Sequence, residues 1–275
     1  MSALSDRLST LRTEGRSALV GYLPVGFPDV ATSIAAMRAM VDAGVDVVEV
    51  GLPYSDPVID GPTVAEAARR ALAGGARVDD VFTAVEAVAA TGTPTLVMTY
   101  WNPVERLGVD RFAARLADAG GSGLITPDLL PDEGQEWHEA SSAHRLDRVY
   151  LVAPSSSDAR LAMTARASSG FLYATSVMGV TGSRAQTSSA APRLVARVRE
   201  VTDLPVGVGL GVSDGRQAAE VAGFADLVIV GSALVRRLLD AEADDAEDAA
   251  AGVAAVETLT AGLADGVRGA RVTAS

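Results

Sequence analysis

Three carboxylates follow one another closely where a short apolar segment of the chain ends. Glu49 lies inside the β-branched run 47–50, where an ionised carboxylate is costly unless a partner or a reaction uses it. Asp56 and Asp60 come next, in a loop rich in Gly, Pro and Ser. Carboxyl groups held at the end of one strand are typical of acid–base catalysis. A purely structural alternative remains open, in which Glu49 pairs with an arginine and both aspartates cap turns.

Other catalytic chemistries lack the residues they need. All 23 basic residues are arginine, so the chain has no lysine for a Schiff base or for attachment of pyridoxal phosphate. There is no cysteine, and His138 and His144 are six residues apart, which does not fit two metal ligands on one helix face. We expect both histidines to be exposed, and we expect neither a metal nor a cofactor in this chain. Acid–base catalysis by carboxylates is the chemistry that remains.

The carboxylates are positioned by a regular alternation of apolar runs and amphipathic segments. Such an alternation, with about eight strands, predicts a (β/α)8 barrel formed as a single domain over 1–275, and an open doubly wound sheet is the alternative. Leu4, Leu8 and Leu11 have helical spacing and predict an extra N-terminal helix that closes one end of the barrel. The predicted strands cover residues 18–23, 45–50, 95–99, 123–125, 148–152, 171–174, 206–208 and 225–230.

Three loops in the second half of the chain, 179–183, 208–213 and 230–233, are rich in glycine and hydroxyl groups. Each follows a predicted strand, and glycine lets backbone N–H groups approach an anion closely. Since barrels often bind phosphate at this place, the loops favour a substrate that carries a phosphate. The segment 207–211 does not have the G-x-G-x-x-G spacing of a dinucleotide site, so we do not expect NAD.

The composition of the chain limits which molecules it can bind and where in the cell it is expected. The net charge of −12 argues against nucleic acid. The first residues do not form a signal peptide and no apolar run reaches the length of a membrane span, so a soluble cytoplasmic protein is expected. The acidic stretch 240–248 is most simply a solvated helix face or loop.

The segment 49–62, Glu-Val-Gly-Leu-Pro-Tyr-Ser-Asp-Pro-Val-Ile-Asp-Gly-Pro, resembles the signature of the tryptophan synthase α subunit family. Further motifs of that family follow in the same order at 98–103, 127–131, 179–182, 209–211 and 231–233. The resemblance implies retro-aldol cleavage of indole-3-glycerol phosphate to indole and glyceraldehyde 3-phosphate. It also implies a β subunit as partner, in an α2β2 heterotetramer, with pyridoxal phosphate carried only by that subunit.

The same resemblance assigns roles to individual residues. It makes Glu49, Asp60 and Tyr173 catalytic, with Glu49 as the general acid and base and Asp60 as the acceptor for the indole N–H. Tyr22 occupies a position where the family usually has phenylalanine, and Val177 one where some members carry arginine. The remaining matches are the phosphate binders Gly182, Gly211, Gly231 and Ser232, and the pocket and loop-closure residues Tyr22, Tyr100 and Thr181.

Several functional readings remain open. Pro53, Asp56 and Pro57 match positions that face the β subunit, so docking of the partner is expected to reshape the loop that carries Asp60. A stand-alone indole-glycerol phosphate lyase would use the same residues without that partnership. Another phosphate-binding barrel, such as a sugar-phosphate isomerase, and a subunit without catalytic activity are the remaining alternatives.

Overall fold

Nine parallel strands form one sheet in the part of the chain that the computed structural model describes, residues 2–175, 190–209, 211–243 and 249–270. β-Branched and other apolar residues dominate these strands, and most of their side chains are buried, as expected of a parallel sheet covered by helices. The strands are β1 Ala18–Pro24, β2 Val47–Gly51, β3 Thr95–Met98, β4 Gly123–Ile125, β5 Asp147–Val149, β6 Leu151–Val152, β7 Leu172–Thr175, β8 Val206–Gly209 and β9 Leu227–Val230.

The sheet closes on itself into a barrel. Its strand order is β5-β4-β3-β2-β1-β9-β8-β7-β6. The two end strands are consecutive in the chain and are separated only by Tyr150, so together they fill one position and the ring has eight. This arrangement confirms the predicted (β/α)8 barrel and excludes the open doubly wound sheet. The one predicted strand at 148–152 is divided in two at Tyr150.

Helices connect the strands and cover the outside of the barrel. Where a connection is long it holds two helices, as between β2 and β3. The helices are α1 Ala3–Thr13, α2 Val30–Asp42, α3 Pro62–Ala73, α4 Val78–Ala89, α5 Trp101–Leu107, α6 Val109–Asp118, α7 Gln135–His144, α8 Asp158–Ala167, α9 Ala190–Arg199, α10 Gly215–Ala222, α11 Ser232–Ala243 and α12 Ala249–Gly269. None of the helices so described is long and apolar enough to cross a membrane.

Helix α1 closes the amino end of the barrel, as its leucine spacing predicts. Leu4, Leu8 and Leu11 are buried and pack against the residues that fill the barrel interior. Asp46, just before β2, fixes this helix to the barrel. It is 3% exposed and accepts hydrogen bonds from Arg7 and Arg16 and from the backbone N–H of Leu19. With the amino end closed in this way, the interior is accessible from the carboxyl end of the strands.

Candidate active site

Burial inside the barrel decreases toward the carboxyl end of the strands. Interior residues near the amino end, such as Val20 and Val47, are completely buried. Nearer the carboxyl ends of the strands, interior residues such as Tyr22 on β1 and Tyr173 on β7 are partly exposed. The barrel therefore opens at its carboxyl end, where active sites of this fold are found.

Glu49 lies on β2 and points into this opening. It is 1% exposed, and neither of its carboxylate oxygens has a hydrogen-bond partner among the described residues. Burial in these surroundings raises the pKa of Glu49 to about 8. The predicted alternative of a structural ion pair with an arginine is thus absent from the described part of the chain. At neutral pH the group is mostly protonated and can donate a proton.

Asp60 lies in the loop between β2 and α3 and is less buried than Glu49. Burial raises its pKa to about 6, and a hydrogen bond from the Tyr100 hydroxyl acts in the opposite direction. Near neutral pH Asp60 is therefore mostly ionised while Glu49 is mostly protonated. Two neighbouring carboxyl groups whose pKa values are separated by their environments can divide the acid and base roles of a reaction.

Tyr100, which precedes α5, holds the Asp60 loop in place. Its phenolic oxygen accepts hydrogen bonds from the backbone N–H groups of Val58 and Ile59, at 3.0 and 3.1 Å. Its ring stacks on Tyr54 with a centroid distance of 4.9 Å. Because the oxygen already accepts two hydrogen bonds, its single proton is left to be donated, and Asp60 is the acceptor. The family resemblance implies a pocket residue at Tyr100; in the structure this residue holds the loop that carries Asp60.

Two interior tyrosines face the carboxylates, and glycines on neighbouring strands make room for them. Tyr22 is the register partner of Glu49 across the β1–β2 pair, and Tyr173 lies on β7. A Cβ at Gly209 would lie 2.5 Å from the Tyr173 hydroxyl, and one at Gly51 would collide with the Tyr22 hydroxyl. Neither glycine is among the site residues predicted from the sequence. Glycine at an interior strand position is the signal that could have identified them.

The proposed phosphate binders lie at the carboxyl ends of β8 and β9, which are separated from the strand of Glu49 by β1. Gly231 follows β9, and Ser232 begins α11, whose first N–H groups have no partner within the helix. Gly211, after β8, has a φ of 68°, a left-handed conformation that glycine adopts without strain. The structure thus brings these three residues near Glu49, at the same end of the barrel. Thr181 and Gly182, and with them Val177, lie outside the described residues.

The histidines take no part in this arrangement, but they are less exposed than predicted. His138 is partly buried and its Nε2 lies 2.9 Å from the Tyr150 hydroxyl, while His144 pairs with Asp110 on α6. His138 joins α7 to the break between β5 and β6, and His144 joins α7 to α6; the sequence pattern alone could not show either contact. Among the described residues there is no group of three or more His, Cys, Asp or Glu side chains that could hold a metal.

A cavity of about 240 Å³ lies at the other end of the barrel, between α1 and the segments that precede β8 and β9. Its polar side chains are largely engaged with one another or with backbone. Arg16 binds Asp46, for example, and Asp226 binds Arg199 and the N–H of Val206. The carboxyl end, where Glu49 has no partner among the described residues, is the better candidate for chemistry.

The fold and the site define a class of protein: a (β/α)8 barrel with two carboxyl groups of separated pKa values at the carboxyl end of its strands. Comparison with known proteins then identifies the family. The tryptophan synthase alpha chain family matches residues 8–266, and the chain belongs to it. The family consists of lyases of tryptophan biosynthesis, and this chain is an enzyme of that kind.

The similarity to individual relatives covers almost the whole chain. It is 62% identical to the tryptophan synthase alpha chain of Salinispora tropica over 268 residues, 98% of each chain. It is 60% identical to the alpha chain of Acidothermus cellulolyticus over 268 residues, again 98% of each. A solved structure of Mycobacterium tuberculosis tryptophan synthase matches with a TM-score of 0.90 and 56% identity, covering 97% of this chain and 98% of that one.

Proposed function

We propose that this enzyme cleaves indole-3-glycerol phosphate into indole and glyceraldehyde 3-phosphate, using Glu49 and Asp60. One observation carries the proposal: Glu49, buried and without a hydrogen-bond partner among the described residues, and the more exposed Asp60 both act electrostatically on Tyr22 and Tyr173 at the open end of the barrel. The first has a pKa of about 8 and the second a pKa of about 6. Between these values the pair holds one proton, which is the state that the reaction requires.

The electrons of the broken bond must be accepted by the substrate itself, because the chain has no lysine to form an iminium with it. Protonated Glu49 gives its proton to C3 of the indole ring, which makes the ring nitrogen an iminium. The bond between C3 and the glycerol chain then breaks, and its electron pair moves to that nitrogen. The Glu49 carboxylate takes the proton from the adjacent hydroxyl, which becomes the aldehyde, and Glu49 is protonated again.

Asp60 and the tyrosines support this proton transfer. Ionised Asp60 accepts the hydrogen bond of the indole N–H and stabilises the positive charge that develops there. Tyr173 faces Glu49 from β7 and lines the pocket for the reacting carbon atoms. Tyr22 and Tyr100 lie on the other sides of the indole position.

The phosphate group binds at the ends of β8 and β9, on the other side of β1 from the carboxyl groups. The first N–H groups of α11 at Ser232, the exposed backbone of Gly231, and the loop at Gly211 supply donors without a side chain in the way. By family resemblance, Gly182 contributes to the same binding and Thr181 helps close the site. The chain needs no cofactor of its own for these steps. We further infer that residues 1–275 form a single domain, since the described helices and strands pack around one barrel.

We also propose a β subunit as the partner, in an α2β2 assembly in which only that subunit carries pyridoxal phosphate. The loops after β2 and β4 expose hydrophobic side chains at the carboxyl end of the barrel: Val58 is 73% exposed and Leu130 is 42% exposed. Val58 is two residues from Asp60, and its N–H binds Tyr100, so a partner that contacts Val58 acts directly on the loop that carries Asp60.

The test is release of indole from indole-3-glycerol phosphate by the purified chain, alone and with a tryptophan synthase β subunit. We expect slow release alone and a steep increase with the β subunit. Glu49→Gln and Asp60→Asn should each lower turnover by roughly 100- to 10,000-fold. Asp110→Asn, which removes an 81% exposed carboxylate on α6, is the matched control and should retain activity.

Each component of the proposal has its own contrary result. No indole from the wild-type chain under either condition would refute the reaction. Full activity in one of the two site variants would refute the role of that residue. Fast release that does not respond to the β subunit would refute the partnership and favour a stand-alone lyase.

A further inference from the structure

Tyr22 extends from the proposed phosphate side of the opening to the carboxylate side. Its ring lies beside Gly231, where a Cβ would be 3.1 Å from the ring carbon Cδ1. Its hydroxyl lies over Gly51 on β2, where a Cβ would collide with it. Gly51 comes two residues after Glu49, and the Tyr22 backbone is in register with Glu49. The hydroxyl is thus next to the carboxyl pair, on the open side of Glu49.

This hydroxyl is available to a ligand. Tyr22 is partly exposed at the opening, and its hydroxyl has no hydrogen-bond partner among the described residues. Burial, together with the nearby charges of Asp60 and Glu49, raises the pKa of Tyr22 well above its ordinary value of 10. The group therefore keeps its proton at any pH at which the enzyme works, and it can act as a donor.

The Tyr22 ring flanks the indole position, and only one polar part of the proposed substrate lies next to the Tyr22 hydroxyl. The indole ring is held between Glu49 and Asp60, and the phosphate lies at Gly231 and Ser232. The glycerol chain connects them and must pass along Tyr22. Its hydroxyl on the carbon attached to the indole ring is the polar group that comes next to Glu49, and it needs a hydrogen-bond donor once it is removed from water.

We propose that the Tyr22 hydroxyl donates a hydrogen bond to this substrate hydroxyl and makes Tyr22 a catalytic residue of the cleavage step. The inference rests on the proposed function and adds to it. In that step the substrate oxygen loses its proton to Glu49 and becomes a carbonyl oxygen, so electron density accumulates on it. A donor at this oxygen stabilises that change, while Tyr22 keeps its own proton throughout.

The test is Tyr22→Phe, which removes only the oxygen and leaves the ring to fill the same space. We expect kcat/KM for indole-3-glycerol phosphate to fall by roughly 2- to 10-fold, the effect of one uncharged hydrogen bond, with a decrease in kcat. A second ligand gives the decisive comparison: an analogue with indole and phosphate joined by a plain three-carbon chain without hydroxyls. Its Kd, measured by calorimetry, should be the same for wild type and variant.

Tyr150→Phe is the matched control, because it removes a tyrosine hydroxyl from the outer layer, where its partner is His138 at 2.9 Å. It should leave kcat/KM unchanged at temperatures well below its melting point. Unaltered binding of the analogue also shows that the Tyr22→Phe variant is folded.

Two results would overturn the inference while the proposed function stands. The first is an active wild type and a Tyr22→Phe variant with the same kcat/KM. The second is an equal loss for substrate and analogue, which would mean that the hydroxyl shapes the pocket and does not bind the chain. A wild-type enzyme that releases no indole, with or without the β subunit, would instead overturn the proposed function and this inference with it.

Discussion

Replacing Tyr100 with phenylalanine should change the pH dependence of the reaction in a specific way. The Tyr100 hydroxyl accepts two backbone N–H groups of the Asp60 loop and donates its proton to the Asp60 carboxylate. That hydrogen bond favours the ionised form of Asp60 and so lowers its pKa. Without it the pKa of Asp60 should rise above its value of about 6. The pKa of Glu49, about 8, is due to burial alone and should stay where it is.

The size of this change follows from the hydrogen bond that is lost. A hydrogen bond to a charged group contributes about 1.5–3 kcal/mol, and one pKa unit corresponds to about 1.4 kcal/mol. Because Asp60 is partly exposed, water replaces part of the lost interaction, and we expect an increase of about one unit. The ionised fraction of Asp60 would then fall about fivefold near pH 6 and very little above pH 8.

The assay is the pH profile of kcat/KM for indole release by the wild type and by Tyr100→Phe. The wild type should show a bell with limbs near the pKa values of about 6 and about 8. In the variant the acid limb should move up and the alkaline limb should not. Tyr54→Phe is the control, since it keeps the ring that stacks on Tyr100 and removes a hydroxyl that has no hydrogen bond among the described residues. A uniform loss of activity at all pH values, with an unmoved acid limb, would refute the reasoning.

Three further predictions concern stability and pocket shape. Since the pKa of Glu49 in the folded state lies above its ordinary value of 4.5, the free energy of unfolding of the wild type should fall as pH rises from about 4.5 to about 8. Glu49→Gln should lose this dependence and, in urea unfolding near pH 9, should be more stable than the wild type by on the order of 4 kcal/mol. A difference between the two proteins that is the same at pH 5 and at pH 9 would contradict this. In the same assay Asp46→Ala should lower the free energy of unfolding by roughly 2–4 kcal/mol, because it removes the acceptor that binds Arg7. A decrease below about 1 kcal/mol would contradict the role of Asp46 in holding α1 on the barrel. Gly209→Ala should displace the Tyr173 hydroxyl and, in a protein that is still folded, lower kcat/KM by roughly 10- to 100-fold. If the Gly209→Ala variant has the same kcat/KM as the wild type, the close contact is unimportant for the reaction.

The sequence determined the architecture because its signals are local. Apolar runs of strand length alternate with segments of helical period throughout the chain, and a chain with that rhythm and about eight strands can bury its apolar faces in a closed barrel. The spacing of Leu4, Leu8 and Leu11 likewise predicted a helix with one apolar side, and the end of the barrel is the surface that it covers. The position of Glu49 inside an apolar run predicted its burial for the same reason.

Other properties depend on residues that are distant in the chain and meet only in the folded barrel. The two N–H groups that Tyr100 holds come from residues about forty positions earlier, and no periodicity predicts such a contact. The space that Gly209 leaves for the Tyr173 side chain also could not be predicted from the sequence, since the two residues are distant in the chain and meet only because β7 and β8 are neighbours. His138 was predicted to be exposed, but it is partly buried because it contacts Tyr150. That contact joins a helix to the place where the strand is interrupted, so no local pattern predicts it.

The same division applies to the chemistry of the site. The sequence by itself determined which reactions are possible, because an absent lysine or cysteine excludes a mechanism whatever the fold. The tertiary structure alone decided how far apart the pKa values of the two carboxyl groups lie. Glu49 has no partner in the described part of the barrel and loses its hydration, whereas Asp60 keeps contact with water and receives a hydrogen bond from Tyr100. The pKa of a carboxyl group depends on these surroundings, which the folded chain supplies.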